Sequence, residues 1–89
     1  MPLFAVICRD NPGALQTRMD TRPAHVEWLK AGPVQLAGPL IEAGEMRGSL
    51  LVIEADGIGA AKDWVAGDPY KAAGLFASVE VIEWKKVIG

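Results

Sequence analysis

The amino-acid sequence predicts an α+β fold in which two helices cover one face of a four-stranded antiparallel sheet. Its 89 residues are enough for one domain and too few for two, because domains usually run from about 50 to 250 residues. Apolar runs of strand-forming type lie near both ends of the chain and in its middle, and two segments with helical spacing separate them. We therefore expect residues 1–89 to form a single domain around one core.

The N-terminal third predicts the first strand and the first helix. Residues 3–8 form a continuous apolar run, which the turn-forming sequence Asp-Asn-Pro-Gly at 10–13 ends. Residues 14–30 then carry apolar side chains at helical spacing. Glycine followed by proline is a frequent helix stop, so Ala-Gly-Pro at 31–33 is expected to end this helix.

Pro23 lies within the predicted first helix. Because proline lacks an amide donor, we expect it to bend the helix or to divide it into two pieces. Thr21 is a favourable N-cap for the second piece, since its hydroxyl can accept from the free amides of a first turn. His25, the only histidine of the chain, then lies in that first turn.

The second and third strands form a predicted hairpin. Residues 34–37 are strand-forming and end at Gly38-Pro39, and residues 48–55 form a longer strand. Residues 40–47 connect the two as a modest loop. A connection this short makes the two strands antiparallel neighbours.

The last third of the chain predicts a helix, a short helical turn and a final strand. Residues 60–66 have helical spacing, and Asp68 and Pro69 suit the N-cap and the first position of a short turn that Gly74 ends. Residues 76–87 form the last strand. The resulting order, β-α-β-β-α-β, is the ferredoxin-like arrangement.

Both faces of the predicted sheet carry apolar side chains. A sheet face that contacts water usually alternates apolar with polar residues along each strand. The strands at 3–8 and 48–55 do not alternate cleanly, and 51% of the chain is hydrophobic. We therefore expect a homodimer in which the sheet face opposite the helices packs on the same face of a second copy, the geometry of a dimeric α+β barrel.

Charge and hydropathy argue against several partners. The formal net charge is −2 and the basic residues are scattered singly except for Lys85-Lys86, so we expect no nucleic-acid partner. No apolar run approaches the roughly 20 residues of a membrane span, and the N-terminus lacks the basic flank of a signal peptide. The single cysteine, Cys8, excludes an internal disulfide. These features predict a cytoplasmic protein without a membrane partner.

His25 and Asp68 are the candidate residues for proton transfer. Histidine takes and releases protons near physiological pH, and a carboxylate on its far ring nitrogen fixes its tautomer and basicity. Each residue also has a simpler interpretation, since a histidine near a helix start is often on the surface and Asp before Pro is a common N-cap. The two roles of Asp68 are compatible if one carboxylate oxygen caps the helix while the other accepts from His25.

Several short motifs follow one another through the chain: Arg22-Pro23-Ala24-His25, Ala37-Gly38-Pro39, Gly48-Ser49, Asp68-Pro69-Tyr70, Ala73-Gly74-Leu75 and Lys85-Lys86. With these motifs in this order the chain resembles the YciI-like (YCII-related) proteins, small dimeric α+β barrel domains. The resemblance implies a His-Asp pair at the active site, which falls on His25 and Asp68. It also implies a pocket lined by Arg22, Ser49 and Tyr70. The segment between Gly38-Pro39 and Gly48 is shorter than the glycine-rich loop that similar chains can carry, so less material covers the pocket.

The three pocket residues have structural alternatives. Arg22 can clamp a planar anion through its guanidinium group, or it can form a surface ion pair. Ser49 and Tyr70 can orient a polar group of a substrate, or Tyr70 can pack with its hydroxyl in water.

No cofactor or metal is expected. Gly57 and Gly59 lack a nucleotide-binding pattern, and one histidine without an acidic or cysteine cluster is poor material for a metal site.

Two functions of different classes remain open. The first is a cofactor-independent enzyme of lyase, isomerase or dehydrohalogenase type acting on a compact cyclic or aromatic acid. In it His25 moves the proton, Asp68 holds His25, and Arg22 with Ser49 or Tyr70 stabilises anionic charge. The second is a non-catalytic dimeric ligand-binding or accessory module, in which Asp68 caps a helix and His25 only lines a pocket. A dry pocket with His25 and Asp68 within about 3.2 Å of each other favours the enzyme, and a filled pocket or divergent side chains favour the module.

Overall fold

A computed structural model describes residues 1–89. Its elements are, in chain order, β1 (Leu3–Asp10), α1 (Leu15–Lys30), β2 (Val34–Glu42), β3 (Glu45–Glu54), α2 (Ile58–Val65), α3 (Pro69–Ala72) and β4 (Phe76–Trp84). The four strands form one antiparallel sheet in the order β2-β3-β1-β4. The predicted ferredoxin-like α+β fold is therefore confirmed. None of the three helices has the length and hydropathy of a membrane-crossing helix.

The core lies on one face of the sheet. Because successive residues of a strand point to opposite faces, the buried side chains of β1 and β3 identify that face. Buried residues of α2 and partly buried residues of α1 pack against it, so both helices cover the same side. The fully buried core residues of the two strands are Phe4, Val6, Cys8, Leu51 and Ile53.

Pro23 does not divide the first helix. The helix α1 runs from Leu15 to Lys30 with Pro23 inside it, and Thr21 is not an N-cap. His25 therefore lies within the helix rather than in a first turn, and it is only 6% exposed. Met19 and Pro23 are both exposed, so the Met19 carbonyl that Pro23 leaves without a partner can bond to water. Packing of the opposite face then outweighs the lost hydrogen bond.

The hairpin extends through the residues predicted as a loop. The strand β2 continues to Glu42 and β3 begins at Glu45, so only Ala43 and Gly44 form the turn. Both turn residues have positive φ, 51° and 78°, which suits the right-handed twist of the two strands. Pro39 is tolerated inside β2 because β2 is an edge strand.

We expect that no side chain larger than hydrogen fits at Gly48. This glycine lies in β3 opposite Arg9, and a Cβ atom at this position would be 2.3 Å from the backbone carbonyl oxygen of Cys8. Relieving that contact requires the two central strands to separate. We expect Gly48→Ala to lower the free energy of unfolding by about 1 to 3 kcal/mol, the usual cost of overpacking.

Gly38→Ala is the matched control for this substitution. Gly38 lies opposite Leu50 in the neighbouring strand pair, and no atom lies within 4 Å of a Cβ placed there. We expect its effect to stay within about 0.5 kcal/mol, as for most surface changes. Urea unfolding followed by tryptophan fluorescence measures both variants, and equal stabilities would contradict the prediction.

Candidate active site

A cavity of about 250 Å³ lies between α1 and the β2–β3 hairpin. Its polar lining brings together four residues predicted from the sequence and one that was not predicted, and no acidic side chain lines it. Three of these residues lie on α1 at positions 18, 22 and 25, a spacing that places them on one helical face. The polar lining residues are Arg18, Arg22, His25, Ser49 and Tyr70.

His25 and Asp68 are hydrogen-bonded behind the cavity wall. Nδ1 of His25 lies 2.8 Å from Oδ1 of Asp68, and the residues are 6% and 1% exposed. An ionised carboxylate only accepts hydrogen bonds, so Nδ1 carries the proton and Nε2 of the neutral ring carries the lone pair. Nε2 bonds to no protein atom and is not fully buried, and His25 lines the cavity. A ligand in the cavity can therefore exchange a proton with Nε2.

Asp68 also caps the short helix α3. Its Oδ1 accepts from the backbone N–H of Tyr70 at 2.9 Å, with Pro69 in the first helical position as predicted. One oxygen thus serves both the cap and His25, whereas we expected the two oxygens to divide these roles. The other oxygen, Oδ2, is buried and accepts no hydrogen bond. Its charge is available to stabilise a positive charge on the neighbouring imidazole.

Tyr70 supports the plane of the imidazole ring. The two rings are stacked with centroids 3.9 Å apart and an angle of 19° between their planes. The Tyr70 ring is packed, with the residue only 1% exposed, while its side chain lines the cavity and its hydroxyl is not among the fully buried atoms that lack a partner. Burial raises the pKa of Tyr70, while the charges of Arg18 and Arg22 oppose that shift. The phenol therefore stays neutral and acts as a rigid surface beside His25.

Arg18 and Asp10 form a second buried ion pair, which the sequence did not reveal. Nε and Nη2 of Arg18 donate to the two carboxylate oxygens of Asp10 at 2.7 and 2.8 Å, and Nη2 also donates to Oγ of Ser49 at 2.9 Å. The guanidinium lies 4.6 Å from the centroid of the Tyr70 ring. Burial lowers the pKa of Arg18, but the hydrogen bonds and charge of Asp10 outweigh it and the pKa rises.

A signal for Arg18 was present in the sequence. It precedes Arg22 by one helical turn and His25 by two, so a continuous helix puts all three on one face. Because Pro23 was expected to divide the helix, Arg18 and His25 were placed on separate pieces, and the face that they share was missed. Asp10 was assigned to the turn that ends the first strand, and nothing in the sequence indicated a basic residue with which it would form an ion pair.

The remaining predicted residues occupy different environments. Arg22 is exposed at the cavity and forms no ion pair, whereas Ser49 is buried within β3 and faces the helices. Cys8 pairs with Ser49 across β1 and β3, and burial, together with the charge of Asp68, raises the pKa of its thiol to about 12. The thiol is therefore protonated and unreactive at neutral pH. No three potential metal ligands cluster in the fold.

Comparisons with known proteins identify relatives over the whole chain. The YCII-related domain matches residues 2–85. Protein YciI of Escherichia coli O6:H1 is 32% identical over 96 aligned positions, which cover 96% of this chain and 98% of that protein. An uncharacterized protein of Haemophilus influenzae is 32% identical over 97 positions, covering 94% and 97%.

A solved structure matches both the fold and the sequence. It is 5-chloro-2-hydroxyhydroquinone dehydrochlorinase (TftG) from Burkholderia phenoliruptrix AC1100, in complex with 2,5-dihydroxybenzoquinone. The TM-score is 0.85 and the identity 39%, with 93% of each chain covered. An antibiotic biosynthesis monooxygenase has the same fold at a TM-score of 0.61 but only 12% identity. With the family domain spanning nearly its full length and relatives above 30% identity, this chain belongs to the YCII-related proteins.

Proposed function

We propose that this protein is a cofactor-independent enzyme that moves a proton on a small cyclic or aromatic acid, and that the reaction is the loss of hydrogen halide. The observation that carries the proposal is the 2.8 Å hydrogen bond from His25 to the buried Asp68, with Nε2 free at a cavity that has no acidic lining. A general base needs both a partner that fixes its tautomer and an open nitrogen within reach of the substrate.

In the proposed reaction Nε2 of His25 accepts a proton from the substrate. The electron pair of the broken O–H bond forms a C=O bond while the halogen-bearing ring carbon takes up a proton and becomes tetrahedral. Loss of a second hydroxyl proton to His25 then forms the second C=O bond and a ring C=C bond as the carbon–halogen bond breaks and halide leaves with its electron pair. Asp68 stabilises the imidazolium that results, and Arg22 with Ser49 or Tyr70 stabilises negative charge on a substrate oxygen. These are the roles that their residue types and positions at the cavity support.

The matched structure narrows the reaction type. Lyase, isomerase and dehydrohalogenase chemistry all use such a proton transfer, and the neighbour with 39% identity is a dehydrochlorinase. Its bound ligand is a single hydroxylated quinone ring. A cavity of about 250 Å³ lies just below the usual volume range of ligand pockets, which suits a ligand as small as a single ring.

Chloride release from 5-chloro-2-hydroxyhydroquinone tests the proposal. We expect the purified protein to release chloride faster than buffer alone, with a matching change in the ultraviolet spectrum as the ring becomes a quinone. Hydroxyhydroquinone without chlorine is the matched control, and it should release no chloride. Tight binding of the chlorinated ring without turnover would instead favour the non-catalytic ligand-binding module.

We also propose that the protein is a homodimer that associates through the open face of the sheet. That face carries exposed apolar side chains from three strands, namely Leu36, Leu50, Ile82 and Trp84. A monomer would leave these side chains in water. A cytoplasmic location is part of this proposal, and the free thiol of Cys8 fits a reducing compartment.

Leu50→Glu is expected to break this dimer. Leu50 lies in the central strand β3, so a carboxylate there would be buried without a partner in the middle of the interface. We expect dimerisation to weaken by about 2 kcal/mol or more, as at an interface hot spot. Met19→Glu, on the exposed side of α1, is the control and should remain dimeric. Sedimentation velocity measures both, and a wild-type monomer would contradict the proposal.

A further inference from the structure

The hydrogen bonds of Arg18 leave one end of its guanidinium group free. Nε and Nη2 are engaged by Asp10 and Ser49, whereas Nη1 makes no hydrogen bond within 3.5 Å and has only the Tyr70 side chain as a nearby polar neighbour. Arg18 is 2% exposed, yet Nη1 is not among the fully buried atoms that lack a partner. The side chain lines the same cavity as His25. Nη1, with its two N–H donors, is therefore the part of Arg18 that a ligand can reach.

Ser49 adds a donor beside Nη1. Its Oγ accepts from Nη2 of Arg18, so the hydroxyl proton remains free to donate to a second acceptor. Ser49 also lines the cavity. Arg18 and Ser49 thus present N–H and O–H donors to one place in the cavity, and the ion pair with Asp10 fixes their positions.

The two arginines of the cavity differ in how firmly they are held. Arg22 is exposed and has no partner, so its charge is screened by water and its side chain must lose mobility to bind. Arg18 is buried and held by two hydrogen bonds to Asp10. Donors that are fixed in place and shielded from water stabilise a developing charge more strongly, because they need no reorganisation.

We propose that Arg18, through Nη1 and together with the Ser49 hydroxyl, binds the ionised ring oxygen of a planar phenolate or enolate substrate. This inference rests on the proposed function and names its substrate class. Asp10 positions Arg18 as Asp68 positions His25, so each group that meets the substrate has a buried carboxylate behind it. The negative charge that forms as His25 removes the proton then lies on the oxygen bound by Arg18, so Arg18 supplies the larger part of the stabilisation that the proposed function assigned to Arg22.

Binding of 2,5-dihydroxybenzoquinone, an acidic planar ring, tests the inference by titration calorimetry at neutral pH. Hydroquinone, which is uncharged at that pH, is the reference probe. We expect wild-type protein to prefer the anionic probe, and Arg18→Lys to weaken its binding by about tenfold or more, the loss expected for a charge-assisted two-donor contact. Arg22→Met, which removes the other cavity cation, should weaken binding by only about twofold to threefold.

The substitution Arg18→Lys keeps the charge and the pair with Asp10, but Lys has no planar fork that reaches both Asp10 and the cavity. A double variant, Asp10→Asn with Arg18→Met, removes both charges together and so leaves no unpaired charge in the core. It should lose the preference for the anionic probe over hydroquinone, which a merely structural role of Arg18 would not change. The unfolding midpoint of each variant is measured alongside.

The inference is overturned if wild-type protein binds neither probe, if it shows no preference for the anion, or if both Arg18 variants bind it within about twofold of wild type. Failure of the proposed function has a different signature. If His25→Ala still releases chloride at the wild-type rate while Arg18→Lys no longer binds 2,5-dihydroxybenzoquinone, the proposed role of His25 in proton transfer is wrong and the proposed anion site is supported. If His25→Ala abolishes chloride release while Arg18→Lys binds normally, only the anion site is wrong.

Discussion

His25→Gln is expected to lower the turnover number for chloride release by about 10² to 10⁴, the usual contribution of a positioned acid or base. Glutamine is close to histidine in length, and its amide can still donate to Asp68, so the cavity wall is retained. It has no nitrogen that accepts a proton at neutral pH. We therefore expect binding of 2,5-dihydroxybenzoquinone to change by less than about threefold while turnover is lost.

His25→Ala provides a second measurement with a different readout. Because His25 is buried and stacked on Tyr70, this truncation should also lower the free energy of unfolding by about 1 to 3 kcal/mol. It leaves a space of the right shape for a free base. Added imidazole should restore part of the chloride release in His25→Ala and none in His25→Gln. Chloride release at the wild-type rate by either variant would exclude His25 as the base.

The largest stability effect at the site is expected for Asp68→Ala. This substitution removes the cap of α3 and leaves Nδ1 of His25 without an acceptor in a buried position. The two losses together should lower the free energy of unfolding by about 2 to 4 kcal/mol, a large share of the stability of a small domain. Urea unfolding monitored by circular dichroism measures it.

Asp68→Asn separates the cap from the chemistry. The amide oxygen of asparagine can still accept from the backbone N–H of Tyr70, so the variant should be less destabilised than Asp68→Ala by about 1 kcal/mol or more. The negative charge behind His25 is lost, and turnover should fall by about 10² or more. Nitrogen-15 NMR should report the Nδ1–H tautomer of His25 in wild type and in Asp68→Asn, because an amide oxygen at the position of Oδ1 can accept from both Nδ1–H and the Tyr70 N–H. If Asp68→Asn turns over at the wild-type rate, Asp68 has no role in the reaction and serves only as the N-cap of α3.

Local sequence signals were sufficient for most of the fold. The stop at Gly32-Pro33, the cap at Asp68 and the apolar run of the first strand each act over a few residues, and the structure agrees with them. The expected break at Pro23 failed for a reason that no local signal contains. The helix survives because its other face packs against the sheet, and packing is a property of the whole fold.

The same limit explains which site residues were found. His25 and Asp68 lie 43 positions apart; their residue types made them candidates for a pair and the family resemblance supported it, since spacing alone cannot bring such residues together. Neither Arg18 nor Asp10 belongs to one of the motifs that carry the family resemblance. Charged residues of these types are common on protein surfaces, so there was no reason in the sequence to single them out. Burial turns them into an ion pair beside the cavity, and burial is known only once β1 and α1 are packed.

The construction of the cavity has a consequence for how substrate preference can diverge among relatives. One wall is α1, where an inserted residue would rotate everything beyond it by about 100° and separate positions 18, 22 and 25. The opposite wall is the β2–β3 hairpin, whose outer strand β2 has no neighbour on its other side and whose turn is two residues long. Insertions in that turn reshape the mouth of the cavity without moving His25 or Asp68. Length changes that alter which ring is accepted should therefore accumulate in the hairpin, while the helix keeps its register.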